Sequence, residues 1–237
     1  MSKRVLYLLF GPLLLISLLS GRTAGAVSAS ADTLEQQVRS IQDRYRVLHS
    51  LQFDFTQNTR SGGGRNRHGK GKAVFYRPDN GKPGIMRWDY TEPDVQIILN
   101  DGRELSIYTQ KDRQLIVTPA ADLQSDITYG FFAGTSSLLD EFSVHRADGR
   151  FVYVQQAVAT RAIQLVPRKP NNQIKTLHLW FDNDFLLHHL VIEDHFDSIT
   201  ELDFTNIILD ALPPDSPQAL EQLITLDLPA DTEIIRQ

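Results

Sequence analysis

The sequence predicts a mainly β protein: an incomplete, strongly curved antiparallel β-barrel of about eleven strands, covered by short α-helices. Three observations predict it. Apolar and polar residues alternate with period two through most of the chain from Leu51 onward. Tight turn signals separate the alternating runs. Helical periodicity is confined to an opening segment, a central interruption and a short stretch near the end.

Residues 1–31 stand apart from this pattern. Lys3 and Arg4 precede an almost unbroken apolar run from Val5 to Leu19, followed by the small-residue triplets Ala24-Gly25-Ala26 and Ala29-Ser30-Ala31. This predicts a signal peptide cleaved after Ala26 or after Ala31, and hence an exported protein. An uncleaved anchor fits less well, because the apolar run is short for a bilayer core of ~30 Å. Residues 32–237 then form a single domain. Removing the leader takes away three of the 24 basic residues (Lys3, Arg4, Arg22) and none of the 29 acids, which leaves 206 residues and a charge of −8. An acidic domain is a poor partner for nucleic acid, where neutralisation of phosphate supplies most non-specific affinity. The chain has no cysteine, which excludes disulfides, thiolate metal sites, cysteine nucleophiles and an acylated cysteine anchor.

The elements follow in order. Between Asp32 and Leu51, the residues Leu34, Val38, Ile41, Tyr45 and Leu48 line one helical face, and Asp32 with Glu35 or Thr33 with Gln36 supplies a capping box. At Leu51 the period changes. Leu51, Phe53 and Phe55 fall on one side, Gln52, Asp54 and Thr56 on the other. Candidate strands cover 52–60, 68–77, 85–90, 94–100, 103–109, 112–118, 142–147, 151–156, 161–167, 174–182, 185–194 and 199–208. Turns such as Asn100-Asp101-Gly102 and Asp182-Asn183-Asp184 suit tight hairpins, and sequential hairpins build an antiparallel meander. Between Ala121 and Phe142, the residues Leu123, Ile127, Phe131, Phe132, Leu138 and Leu139 recur at spacings of three and four, broken by Gly130 and Gly134. They predict two short helices that form a lid. A last helical turn is expected at Gln218 to Leu223. So few helices cannot cover both faces of such a sheet, but they suffice to plug its concave side, where hydrophobic ligands sit in such folds.

Several landmarks come in a telling order. They are Leu51 to Gln57 (LQFDFTQ), Gly69-Lys70-Gly71 leading into Ala73 to Pro78 (AVFYRP), and Met86 to Tyr90 (MRWDY) with Pro93. Asn100-Asp101-Gly102, Tyr108 and the stretch from Phe131 to Phe142 follow, then Phe181-Asp182-Asn183, Asp194, Thr200, Phe204, Asn206, and Pro229 with Glu233. Together their order and spacing resemble the LolA family, the periplasmic carriers of outer-membrane lipoproteins. The resemblance implies a half-barrel enclosing an apolar cavity for acyl chains. It implies a soluble, monomeric periplasmic carrier that is not an enzyme and uses no cofactor or metal. Such a carrier takes acylated lipoproteins from an inner-membrane ATP-driven release complex and passes them to an outer-membrane lipoprotein acceptor, meeting membrane surfaces only transiently. That acceptor is anchored through a cysteine, which this chain lacks, so the resemblance points to the shuttle.

The resemblance also assigns roles to residues. Arg77, in the Arg-Pro pair, is implied to latch the lid by hydrogen bonds in the empty state. Met86 maps onto the apolar position after the pair, across extra residues from Asp79 to Gly84. Alternation and resemblance together give the expected acyl-chain cavity: Phe53, Phe55, Phe75, Met86, Trp88, Tyr90, Ile97 and Leu179. Arg77 brings five donors and no acceptor, so carbonyls of the Gly130 to Gly134 region are its expected partners. A surface carboxylate at the strand end is the plainer alternative.

Three motifs invite other readings. Gly64 to Lys70 fits G-x-x-x-x-G-K, but Gly71 stands where Ser or Thr would be needed and a strand follows instead of a helix. Arg60, Arg65, Arg67, Lys70 and Lys72 make the same hairpin basic, either as solvated charge or as a docking patch for an acidic partner or lipid headgroups. His188, His189, Glu193, Asp194 and His195 look like metal ligands in one-letter code, yet His189 and His195 lie about 20 Å apart on a strand. No nucleophile elbow and no H-E-x-x-H motif is present. The rival functions are a binding module of the same fold for another amphiphile, such as a glycolipid or envelope-stress ligand, and a secreted acyl-ester hydrolase.

Overall fold

The computed structural model describes residues 26–61, 64, 66–78, 83–120, 131–132, 137–151, 161–170 and 173–237. Helix α1 (Ala26–Arg46) buries the expected stripe of Val38, Ile41 and Tyr45. It stops at Arg46, five residues before the expected end. The Asp210 carboxylate accepts from the backbone N–H groups of His49 and Ser50 at 2.7 and 3.2 Å, which draws the chain out of the helix and into β1.

Among the described residues, twelve strands form one sheet. They are β1 (Ser50–Arg60), β2 (Asn66–Tyr76), β3 (Ile85–Glu92), β4 (Gln96–Asn100), β5 (Glu104–Thr109), β6 (Gln114–Pro119), β7 (Phe142–Arg146), β8 (Arg161–Pro167), β9 (Thr176–Phe181), β10 (Leu187–Glu193), β11 (Ile199–Leu209) and β12 (Glu233–Arg236). Their order is β12-β6-β5-β4-β3-β2-β1-β11-β10-β9-β8-β7. Two antiparallel meanders therefore meet at a central seam, where β1 runs antiparallel to β11 from Leu51↔Leu209 to Arg60↔Ile199. Residues 152–160, most of the expected strand 151–156, lie outside the described residues. A strand not expected from the sequence is the C-terminal β12, which pairs parallel with β6. Such pairing needs a long crossover, and the chain between β11 and β12 supplies it by crossing the convex face.

That crossing corrects the helix placement. The turn expected at Gln218 to Leu223 is α3 (Pro217–Ile224), capped by the Ser216 hydroxyl on the Ala219 N–H at 3.1 Å. Its Leu220 and Leu223 pack with Leu212 and Leu226 on Tyr76, Ile85 and Leu99, on the convex side. Arg87 donates to the carbonyls of Leu223 and Thr225 at 3.0 and 2.8 Å and holds the C-terminal end of α3. The concave side is covered by α1, by helical residues 131–132 and by α2 (Leu138–Glu141). Arg168 fixes the end of α2 by donating to the carbonyls of Leu139 and Phe142, both at 3.0 Å.

The histidines of the predicted cluster are dispersed. His188 bonds Asp182 at 2.9 Å, and His189 bonds Asp203 at 2.7 Å. Fully buried on the convex side is His178, whose Nε2 meets the Thr176 hydroxyl at 3.2 Å. Its Nδ1 has no hydrogen-bond partner among the described residues. Glu193 lies buried beside it and accepts from Lys175 at 2.9 Å and Thr176 at 3.0 Å.

Burial lowers the pKa of His178, against the opposing pull of Asp148 and Glu193 and with help from Arg150. Between the lowered value and the ordinary value of about 6.5, the unfolded chain holds a proton that the folded chain refuses, so stability falls as pH drops through this window. Burial alone would raise Glu193, but hydrogen bonds from Lys175 and Thr176 hold it below the ordinary carboxylate range. Its loss therefore comes only at lower pH. Urea unfolding at about pH 7.5 and about pH 5.5 is expected to show a stability loss that His178→Gln reduces; an equal loss in the variant would contradict this assignment.

Candidate functional site

Alternation along the central strands turns one apolar row inward. Leu51, Phe53 and Phe55 of β1, Ala73 and Phe75 of β2, and Met86 and Trp88 of β3 join Leu177 and Leu179 of β9 and Phe204 of β11 in one buried cluster. The lid completes it. The ring of Phe132 lies 4.9 Å from that of Phe75, 5.2 Å from Phe53, 5.4 Å from Phe204 and 6.5 Å from Trp88. These separations suit aromatic packing. Small cavities of about 20 Å³ beside Leu48, Phe75 and Phe132 and about 10 Å³ beside Phe132 and Leu138 remain. Each has room for about one water. Among the described residues, the concave interior is thus a packed core with an aromatic side chain of the lid at its centre.

Of the expected cavity residues, Phe53, Phe55, Phe75, Met86, Trp88 and Leu179 come together here, and Tyr90 packs at the edge. Ile97 does not. It packs on the other face with Tyr108, Leu115 and Val117, while Ile98, opposite Trp88, takes the inward position. The run Gln96–Asn100 is apolar at three consecutive positions, so its own alternation cannot choose a face. In the lid, Phe131, Phe132, Leu138 and Leu139 meet the cluster. Leu123 and Ile127 lie outside the described residues.

Arg77 follows β2 and reaches the end of α1. Its Nη1 donates to the carbonyl of Arg46 and, at 3.3 Å, to that of Leu48, while its backbone N–H donates to the His49 carbonyl at 2.7 Å. Desolvation, then the nearby Arg46 charge, lowers its pKa from the ordinary guanidinium value. The expected lid carbonyls at 130 and 133–134 lie outside the described residues. Tyr45 is a link that sequence reasoning placed only on a helix face. Its hydroxyl accepts from the Leu187 N–H at 2.9 Å, and its ring lies 4.7 Å from Phe131 and 5.8 Å from Phe132. Burial pushes its phenol pKa up. One side chain therefore joins α1, β10 and the lid.

Beyond the apolar cluster the concave face becomes polar and open. Tyr90 stands at the boundary, its ring 4.8 Å from Phe55 and its hydroxyl donating to Gln57 at 2.7 Å. Burial pushes its pKa up to about 12. Past it lies a cleft of about 610 Å³, lined among others by Gln57, Arg67, Glu92, Gln96 and Thr109. The basic residues of the β1–β2 hairpin do not form one patch. Arg60 pairs with Glu201 at 2.6 Å and Lys70 with Glu92 at 2.5 Å. Arg67 is exposed at the cleft, Lys72 is exposed five residues along β2 and so on its opposite face, and Arg65 lies outside the described residues.

The family described as outer membrane lipoprotein carrier protein LolA matches residues 46–216 of this chain. The outer-membrane lipoprotein carrier protein of Nitrosomonas europaea is 25% identical over 170 residues, which cover 72% of this chain and 74% of that protein. The protein of the same name from Chromobacterium violaceum is 25% identical over 195 residues, covering 81% and 88%. Among solved structures, an uncharacterized conserved protein from Thermus thermophilus aligns with a TM-score of 0.48 at 13% identity, over 86% of this chain and 99% of that one. A LolA superfamily protein from Nitrosomonas europaea aligns at 0.41 and 14% identity, over 82% and 98%.

Removing the central ring should have two separable effects. Phe132→Ala is expected to cost up to about 3–5 kcal/mol in urea unfolding. It should also raise uptake of a fluorescent fatty acid, because the vacated volume is lined by aromatic and aliphatic side chains. Loss of stability without gain in uptake would show that Phe132 does not occupy a ligand position.

Proposed function

The chain belongs to the LolA family, and on that premise we propose that it is a soluble periplasmic carrier that binds the acyl chains of lipoproteins on its concave face. It receives them from an inner-membrane ATP-driven release complex and hands them to an outer-membrane acceptor. The observation that carries this reading is the concave aromatic basin with Phe132 of the lid packed into its centre. A basin so filled binds a chain only by giving up a contact of its own.

Magnitudes favour such a gate. At about 0.8 kcal/mol per methylene, an acyl chain of about fifteen methylenes gains roughly 12 kcal/mol gross on burial. A permanently open site of that strength would not release its cargo. A closed empty form lowers apparent affinity by the fraction of open molecules, which keeps hand-off within reach.

Arg77 is proposed to stabilise the closed form through the carbonyls at the end of α1. Arg77→Leu is expected to strengthen lipoprotein retention and to impair transfer to the acceptor in a reconstituted assay; undiminished transfer would sink this role. Native mass spectrometry of protein taken from the periplasm should find acylated polypeptide bound. Another amphiphile in its place, or a clean apo species under several conditions, would contradict the cargo assignment.

A further inference from the structure

The concave face has two chemistries side by side, and only one is used by acyl chains. Between Phe55 and Gln57 on β1 the lining turns from aromatic to amide, with Tyr90 presenting its ring to the first and its hydroxyl to the second. A tyrosine with an apolar body and a polar tip suits such a boundary. Gly69 makes room for it, since a Cβ there would lie 3.1 Å from Tyr90 Cε1. The cleft of about 610 Å³ beyond shares Tyr90 with the apolar cluster, and its size falls within that of ordinary ligand pockets.

Its lining selects the ligand. Gln57 and Gln96 each carry a donor and an acceptor, as a peptide group does. Their Nε2 atoms make long contacts of 3.4 Å, to Thr59 and Thr109. Such weak hydrogen bonds are readily exchanged for better ones. An anionic headgroup fits poorly. Among the described residues, Arg67 is the one arginine or lysine of the lining, and the carboxylates of Glu92 and Asp94 are already paired with Lys70 and Lys111, whereas phosphate sites gather several cations or backbone N–H groups. We propose that this cleft binds the neutral, extended polypeptide segment adjoining the acylated residue of the cargo, so that the carrier reads the peptide as well as the lipid. The inference rests on the carrier reading of the basin.

Two probes separate the two. A palmitoylated short neutral peptide amide should bind the full chain about tenfold more tightly than palmitamide, the scale of one or two net hydrogen bonds. Gln57→Ala/Gln96→Ala, and independently Thr109→Trp, should erase that margin and leave palmitamide affinity within about twofold. A margin that survives both variants would overturn the inference, as would an equal loss for palmitamide, which would assign the cleft to lipid. A palmitoyl probe with a phosphorylated headgroup that outcompetes the peptide would overturn it in favour of a headgroup site. If neither neutral probe binds the wild-type chain, the carrier reading itself fails and takes the inference with it.

Discussion

The interior of this half-barrel holds the ring of Phe132, and the proposed acyl chain would take the same space. Among the described residues, the cavities beside Phe132 measure only about 20 and 10 Å³, about the room of one water each. Burying a phenylalanine contributes about 1.5–3 kcal/mol, against roughly 12 kcal/mol gross for an acyl chain. On the proposed reading the lid therefore does not refuse cargo, but subtracts from the affinity at which cargo is held. A larger plug would block loading and a smaller one would make release rarer.

The rest of the molecule is arranged around that packed ring. The Asp210 carboxylate sets where α1 ends, and Arg77 gathers the carbonyls exposed there. Tyr45 carries the position of α1 to Phe131, Phe132 and the backbone of β10. Arg168 fixes the other flank of the lid at the end of α2. Polar groups thus hold the rim while apolar groups fill the middle. On the convex side, α3 and the tail cover a second apolar surface, which frees the concave side from the task of stabilising the whole sheet.

Much of this was legible in the amino-acid order. The row of Phe53, Phe55, Phe75 and Trp88 announces its face because polar residues separate its members. Legibility fails at β4, where Ile97, Ile98 and Leu99 leave no polar residue to mark the outside. It fails again at the side of the sheet that α3 covers and at β12, because the strands β3 and β4 carry apolar residues on both faces and the cover for the second comes from far along the chain. The lid aromatics were visible, but whether Phe132 fills the basin or frames an empty one depends on tertiary placement that periodicity does not encode. Tyr45 and Arg168 were hidden for the same reason. Each acts through a bond to backbone distant in sequence, for which neighbouring residues give no signal.

The central claim is that cargo displaces Phe132, and fluorine NMR of 4-fluorophenylalanine at that position measures it directly. In the empty chain the resonance should report a buried ring. On stoichiometric binding of an acylated peptide it should move to a solvent-exposed shift. A resonance that stays buried while the chain is fully loaded would contradict the account, since the acyl chain would then lie elsewhere.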